Sequence, residues 1–130
     1  MTRKELSQIY YLNREIKMWK EKLDTITSNV NATGMHEANR LSDITYETMV
    51  KKDDICAIIE DRLRELKKKQ LEIMRFINGI DDSLVRQIMQ YRFVECMPWR
   101  KISERVYNRS DKEDLVRIIC KRYLKQHRIF

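Results

Sequence analysis

The sequence predicts an all-α protein: an N-terminal antiparallel helical hairpin of coiled-coil type, followed by a three-helix domain. Three observations predict it. The 130 residues include only two Gly and one Pro against 36% charged side chains, so helix breakers are scarce and good helix formers abundant. Apolar residues recur at three- and four-residue intervals through two long stretches, the period of a helix seam. Near the C-terminus, three shorter stretches each begin with helix-opening residues.

The first helix is expected from Leu6 to Ile26, because Ile9, Leu12, Ile16, Trp19, Leu23 and Ile26 fall at alternating spacings of 3 and 4. That seam leaves one dry side needing a partner. Residues 27–42 change character, with Thr27, Ser28, Asn29, Asn31, Thr33 and Gly34 crowded together, and read as one long loop. His36 and Glu37 lie in it without companions at metal-ligand spacing, so no metal site is expected. The second helix runs from about Asp43 to Asn78 on a seam of Met49, Cys56, Ile59, Leu63, Leu66, Ile73 and Ile77. Polar Lys52 and Gln70 fill two of its slots. Residues 1–78 then form a hairpin whose core is thin, and a thin core predicts a homodimer through the long helix.

Residues 79–130 form the second domain. Gly79 is placed to stop the long helix in the left-handed conformation, and Asp81 or Asp82 to cap the next. That next helix, Ser83 to about Phe93, offers Leu84, Val85, Ile88, Met89, Tyr91 and Phe93 to a core, with Arg86, Gln87, Gln90 and Arg92 outside. After a turn at Glu95-Cys96-Met97, Pro98 takes the first helical position of another helix, in which Trp99 fills the centre of the bundle and Ile102, Val106 and Tyr107 follow. Residues 106–109 supply a turn. Ser110 and Glu113 have the spacing of a capping box, and Leu115, Val116, Ile119, Tyr123 and Leu124 face the last helix inward. Cys120 flanks that stripe. This punctuation is that of a helix-turn-helix, and the helix from Ser110 to Lys125 is its candidate reader of double-stranded DNA.

Charge points the same way. The chain has 27 Lys plus Arg against 20 Asp plus Glu, a net +7, and a basic balance suits nucleic acid or an anionic surface. Residues 79–130 hold 12 of the basic and 7 of the acidic side chains, so most of the excess is in the tail. No acid follows Asp114, while Arg117, Lys121, Lys125 and Arg128 recur at the spacing of one helix face. The candidate DNA contacts are Arg100, Lys101, Arg109, Lys112, Arg117, Lys121, Arg122 and Lys125. Asp111, Glu113 and Asp114 oppose them in the first turn of the reading helix. Catalytic residues, metal ligands and cofactor-binding residues are not expected. There is no Gly-rich phosphate loop and no histidine paired with a nucleophile, and His127 stands alone. Cys56, Cys96 and Cys120 have no CxxC spacing and read as reduced thiols. No apolar run approaches the ~20 residues that span a bilayer, so a soluble, intracellular protein without a membrane partner is expected.

The run from Ser83 through Trp99 and Ile102 to Arg117 resembles the helix-turn-helix of sigma factor region 4. The layout of the whole chain is similar to small phage and prophage proteins of Gram-positive bacteria. The shared features are a YL-x-x-E-I helix, here Tyr11-Leu12-Asn13-Arg14-Glu15-Ile16, a Ser/Thr-bearing loop, a long charged helix and a sigma-like tail. Asp114-Leu115-Val116-Arg117 and Lys121-Arg122-Tyr123-Leu124 look like that family's D-S-V-R and K-R-Y/F-L segments. The chain departs from the pattern at Val106-Tyr107-Asn108-Arg109, where the family often has a Gly-rich turn, and at Ser103, where an alanine is common. The resemblance implies a phage late-gene transcription regulator in the cytoplasm of a bacterial host, with duplex DNA as its partner. It leaves two alternatives: a module that touches RNA polymerase or another protein, and a DNA-packaging protein of small terminase type.

Overall fold

The computed structural model describes residues 1–32 and 38–130, with side chains at 1–28 and 47–130. Among the described residues every regular element is helical. Helix α1, Arg3–Leu6, opens on a capping box in which Thr2 Oγ1 accepts from the Glu5 N–H and the Thr2 N–H donates to Glu5 at 2.6 Å. Those bonds to Thr2, backbone first, hold the Glu5 carboxyl below its usual pKa. After Ser7, α2 runs over Gln8–Ala32 and α3 over Ala38–Asn78. The loop expected at 27–42 is therefore corrected, since 27–32 and 38–42 are helical. Its Thr and Asn residues are poor helix formers, but only by tenths of a kcal/mol each, and the flanking helices extend through them. Thr25 and Thr27 bond instead to the carbonyls of Glu21 and Leu23. Thr33, Gly34, His36 and Glu37 lie outside the described residues.

The chain forms two compact units, Leu12–Glu65 and Met1–Tyr11 with Leu66–Phe130. In the first, Leu12, Ile16, Ile55 and Ile59 are buried. Arg62 Nε donates to Glu15 Oε1 at 2.8 Å, and that bond raises the pKa of the guanidinium. The expected seam of α3 is corrected here. Met49, Cys56 and Leu63 are exposed, whereas Ile55 is buried. A stripe through Ile55, Ile59 and Arg62 keeps the heptad spacing, with Arg62 accepted in an apolar slot because its head group meets Glu15. Met49, Cys56 and Leu63 then fall about a quarter-turn away.

The second unit buries Leu6 and Ile9 completely, together with Ile73, Ile77 and Ile80 from the end of α3 and the residues after it. It takes in 1–11 and 66–78 as well as the tail. Gly79 does not adopt the left-handed conformation expected of it. The helix end instead tightens, with Gly79 N–H donating to Phe76 O at 3.1 Å and Ile80 N–H to Ile77 O at 3.0 Å. Helix α4, Ser83–Met89, is capped by the Asp82 carboxylate, which accepts from Leu84 N–H at 2.8 Å and Val85 N–H at 3.3 Å. A π-helical turn continues over Gln90–Val94, then Cys96 takes a left-handed φ of 55° and breaks the helix.

Arg86 and Arg92, expected outside, are half-buried and act on the backbone. Arg86 donates to Ile80 O at 2.6 Å and Asp81 O at 3.2 Å. Arg92 donates to Met97 O at 3.0 Å and lies 4.3 Å from the centre of the Trp99 ring. Trp99 is thus half-buried against a cation rather than central, and the fully buried residues of this region are Ile88, Met89, Ile102, Ser103, Val116 and Cys120. Helix α5 spans Trp99–Tyr107, with Pro98 one position earlier than expected, at the cap.

Candidate nucleic-acid interface

Three segments carry the candidate residues: the first turn of α5, the turn after it, and α6, Glu113–Gln126. Helix α5 ends at Asn108, whose φ of 56° puts it in the left-handed region. Asn tolerates that region better than other residues with a side chain, and its N–H donates to Glu104 O at 3.0 Å. A 3-10 turn, Ser110–Lys112, then leads into α6.

The capping box expected from Ser110 and Glu113 does not form, because α6 begins three residues late and its start has no side-chain cap of its own. Ser103 does that work from inside α5. Its buried hydroxyl donates to Arg109 O and accepts from Lys112 N–H at 3.0 Å. One hydroxyl therefore satisfies a carbonyl of the turn and an orphan donor at the entry to α6. Sequence reasoning singled out Ser103 only as a departure from alanine.

Helix α6 packs Val116, Cys120 and Leu124 inward. Burial pushes the Cys120 thiol up to about 11, and its sulfur lies 3.7 Å from that of Met89. Leu115, expected to face inward, is 41% exposed, and Ile118 is 44% exposed. At about 100° per residue, Leu115 falls outside the arc that holds Val116 and Cys120. The helix ends in a Schellman motif: Ile129 N–H donates to Leu124 O at 2.8 Å, Arg128 N–H to Lys125 O at 3.2 Å, and Arg128 has φ of 53°. Ile129 is buried by that turn. Arg128 therefore does not continue the face of Arg117, Lys121 and Lys125.

The eight candidate cations divide into two sets. Arg109 forms a two-pronged pair with Asp111, at 2.9 and 2.6 Å, and that contact lowers the Asp111 pKa. Arg117 lies 3.1 Å from Glu113 and 3.6 Å from Asp114. The acids of the first turn are thus spent on the arginines beside them, and Lys112 is half-buried at the end of the 3-10 turn. Arg100 and Lys101 are exposed in the first turn of α5, and Lys121, Arg122 and Lys125 are exposed in the later turns of α6. Lys121 and Lys125 share a stripe. Arg122 leaves it by about 100° and helps line a cavity of about 380 Å³ with Asp81, Asp82, Tyr123 and His127.

No group of three or more metal-ligating side chains is close enough to hold an ion among the described residues. Likewise, no helix among them is long and apolar enough to cross a membrane. No family model, curated protein or solved structure matches the chain.

Proposed function

We propose that this chain is a DNA-binding protein of phage or prophage type, a transcriptional regulator that reads duplex DNA through the helix-turn-helix formed by α5, its turn and α6. The observation that carries the reading is the outer face of α6, where Lys121, Arg122 and Lys125 are exposed and no acid follows Asp114. The left-handed Asn108 and the Ser103 bonds support it, because they fix the angle at which α6 leaves the turn. Arg100 and Lys101 on α5 suit the phosphates beside the groove that α6 enters. The Arg62–Glu15 bond supports an antiparallel hairpin in the unit 12–65. Exposed Met49 and Leu63, at 58% and 37%, lie with Cys56 at seven-residue intervals and suit a second copy of the same helix.

Selection of bound duplexes from a randomised pool at moderate salt tests the reading. The wild type should enrich a motif that the Lys121→Ala/Lys125→Ala variant does not. If both lysines contact phosphates, the slope of log affinity against log salt should become shallower by about 0.9 per residue removed. The acids at Asp111, Glu113 and Asp114 favour a second reading, a surface for RNA polymerase or another protein. Binding to such a partner that needs no duplex and persists at high salt would decide for it.

A further inference from the structure

The unspent side chains of α6 carry an inference that rests on the DNA-binding reading and sharpens it. Arginine, the usual reader of guanine, is present early in the reading segment, but both arginines there are engaged: Arg109 by Asp111 and Arg117 by Glu113 and Asp114. What stands outward in their place is apolar. Ile118 is 44% exposed and Leu115 41% exposed. Counting about 100° per residue from the buried Val116, Cys120 and Leu124, Ile118 sits almost opposite that stripe. It lies on the outward side of α6, where a helix packed on one face ordinarily has a charge. Lys121 and Arg122 follow it three and four residues on and Asp114, 3.6 Å from Arg117, precedes it by four, so the apolar pair has two exposed cations and one exposed, paired carboxylate beside it.

Apolar side chains with cations beside them match the chemistry of thymine in the major groove, a methyl group set between two phosphate backbones. We propose that Ile118, with Leu115, contacts thymine C5-methyl groups, so that the preferred duplex is thymine-bearing where the middle of α6 enters the groove. The partner is duplex DNA rather than an apolar protein surface because of charge: no carboxylate follows Asp114, and four cations do within the helix.

The test takes the duplex enriched by the full chain and resynthesises it with deoxyuridine in place of deoxythymidine, which removes the methyl groups and leaves every hydrogen-bonding atom. The wild type should bind the thymine duplex about three- to fivefold more tightly for each methyl it buries. Ile118→Ala should lose the share of that preference that Ile118 supplies, weakening the thymine duplex while leaving the uracil duplex and the salt slope unchanged. Its side chain is exposed, so the variant should fold, and an unchanged unfolding curve checks that. Equal binding of the two duplexes by the wild type overturns the proposal but leaves DNA reading intact, and so does equal weakening of both by Ile118→Ala. The apolar pair then belongs to a protein contact. No enriched duplex at all overturns the DNA-binding reading, and this inference with it.

Discussion

Ser103 holds the entry to α6 through one buried oxygen with two partners, six and nine residues ahead of it in the chain. Replacing it with alanine keeps the helix and the space but leaves the Lys112 N–H and the Arg109 carbonyl without their partner. A buried polar group stripped of its partner costs roughly 1–3 kcal/mol, so Ser103→Ala should lower the unfolding free energy by that amount, read as a lower urea midpoint at an unchanged slope. An unchanged midpoint would mean that solvent replaces both bonds. The sequence shows a serine of ordinary helix spacing at this position and nothing of its partners, because hydrophobic period describes faces and not which hydroxyl reaches which amide. Arg86 and Arg92 were illegible for the same reason. Their charge reads as a solvated face, while their long stems reach back to carbonyls that helix and turn leave unbonded.

Among the elements, what followed from periodicity was legible: the helices expected from Leu6 to Ile26, about Asp43 to Asn78, Ser83 to about Phe93, Pro98 onward and Ser110 to Lys125 each overlap a helix of the structure. What depended on ends was not. The stop at Gly79 uses no left-handed residue, whereas Asn108, Cys96 and Arg128 do. Asn108 gives a direct measure of that cost. Asn108→Gly should be neutral or slightly stabilising, and Asn108→Ala should cost about 1 kcal/mol, since only the alanine is strained at this φ. Chemical unfolding of the pair would show it, and equal stabilities would mean that the turn relaxes to a negative φ. The seam of α3 slipped for a related reason. Arg62 breaks the apolar pattern, so the sequence favours Met49, Cys56 and Leu63, yet its ion pair with Glu15 makes the slot habitable. Of the candidate interface, the stripe of Lys121 and Lys125 was legible. The pairing of Arg109 and Arg117 with their neighbouring acids, and the outward turn of Leu115 and Ile118, depend on where α6 begins.

At the scale of the whole molecule, the unit that holds α6 is built from both ends of the chain. Leu6 and Ile9 are fully buried in it, and Arg3 N–H donates to Phe130 O at 3.2 Å. Burying each of those side chains is worth about 1.5–3 kcal/mol, a large share of the stability of a small domain. Removing residues 1–11 should therefore lower the thermal midpoint of the remaining chain sharply, and a fragment confined to 79–130 should be largely unfolded by circular dichroism. A cooperative transition of that fragment at the midpoint of the full chain would show that the tail needs neither end. Such a frame also bears on how the protein can vary. Because the entry to α6 is secured from α5 by Ser103, the residues at 110–114 carry no capping duty, and Leu115 and Ile118 carry little of the core. A lineage could exchange those positions one at a time without leaving the folded state. The partner it recognises could then drift while the scaffold stays constant.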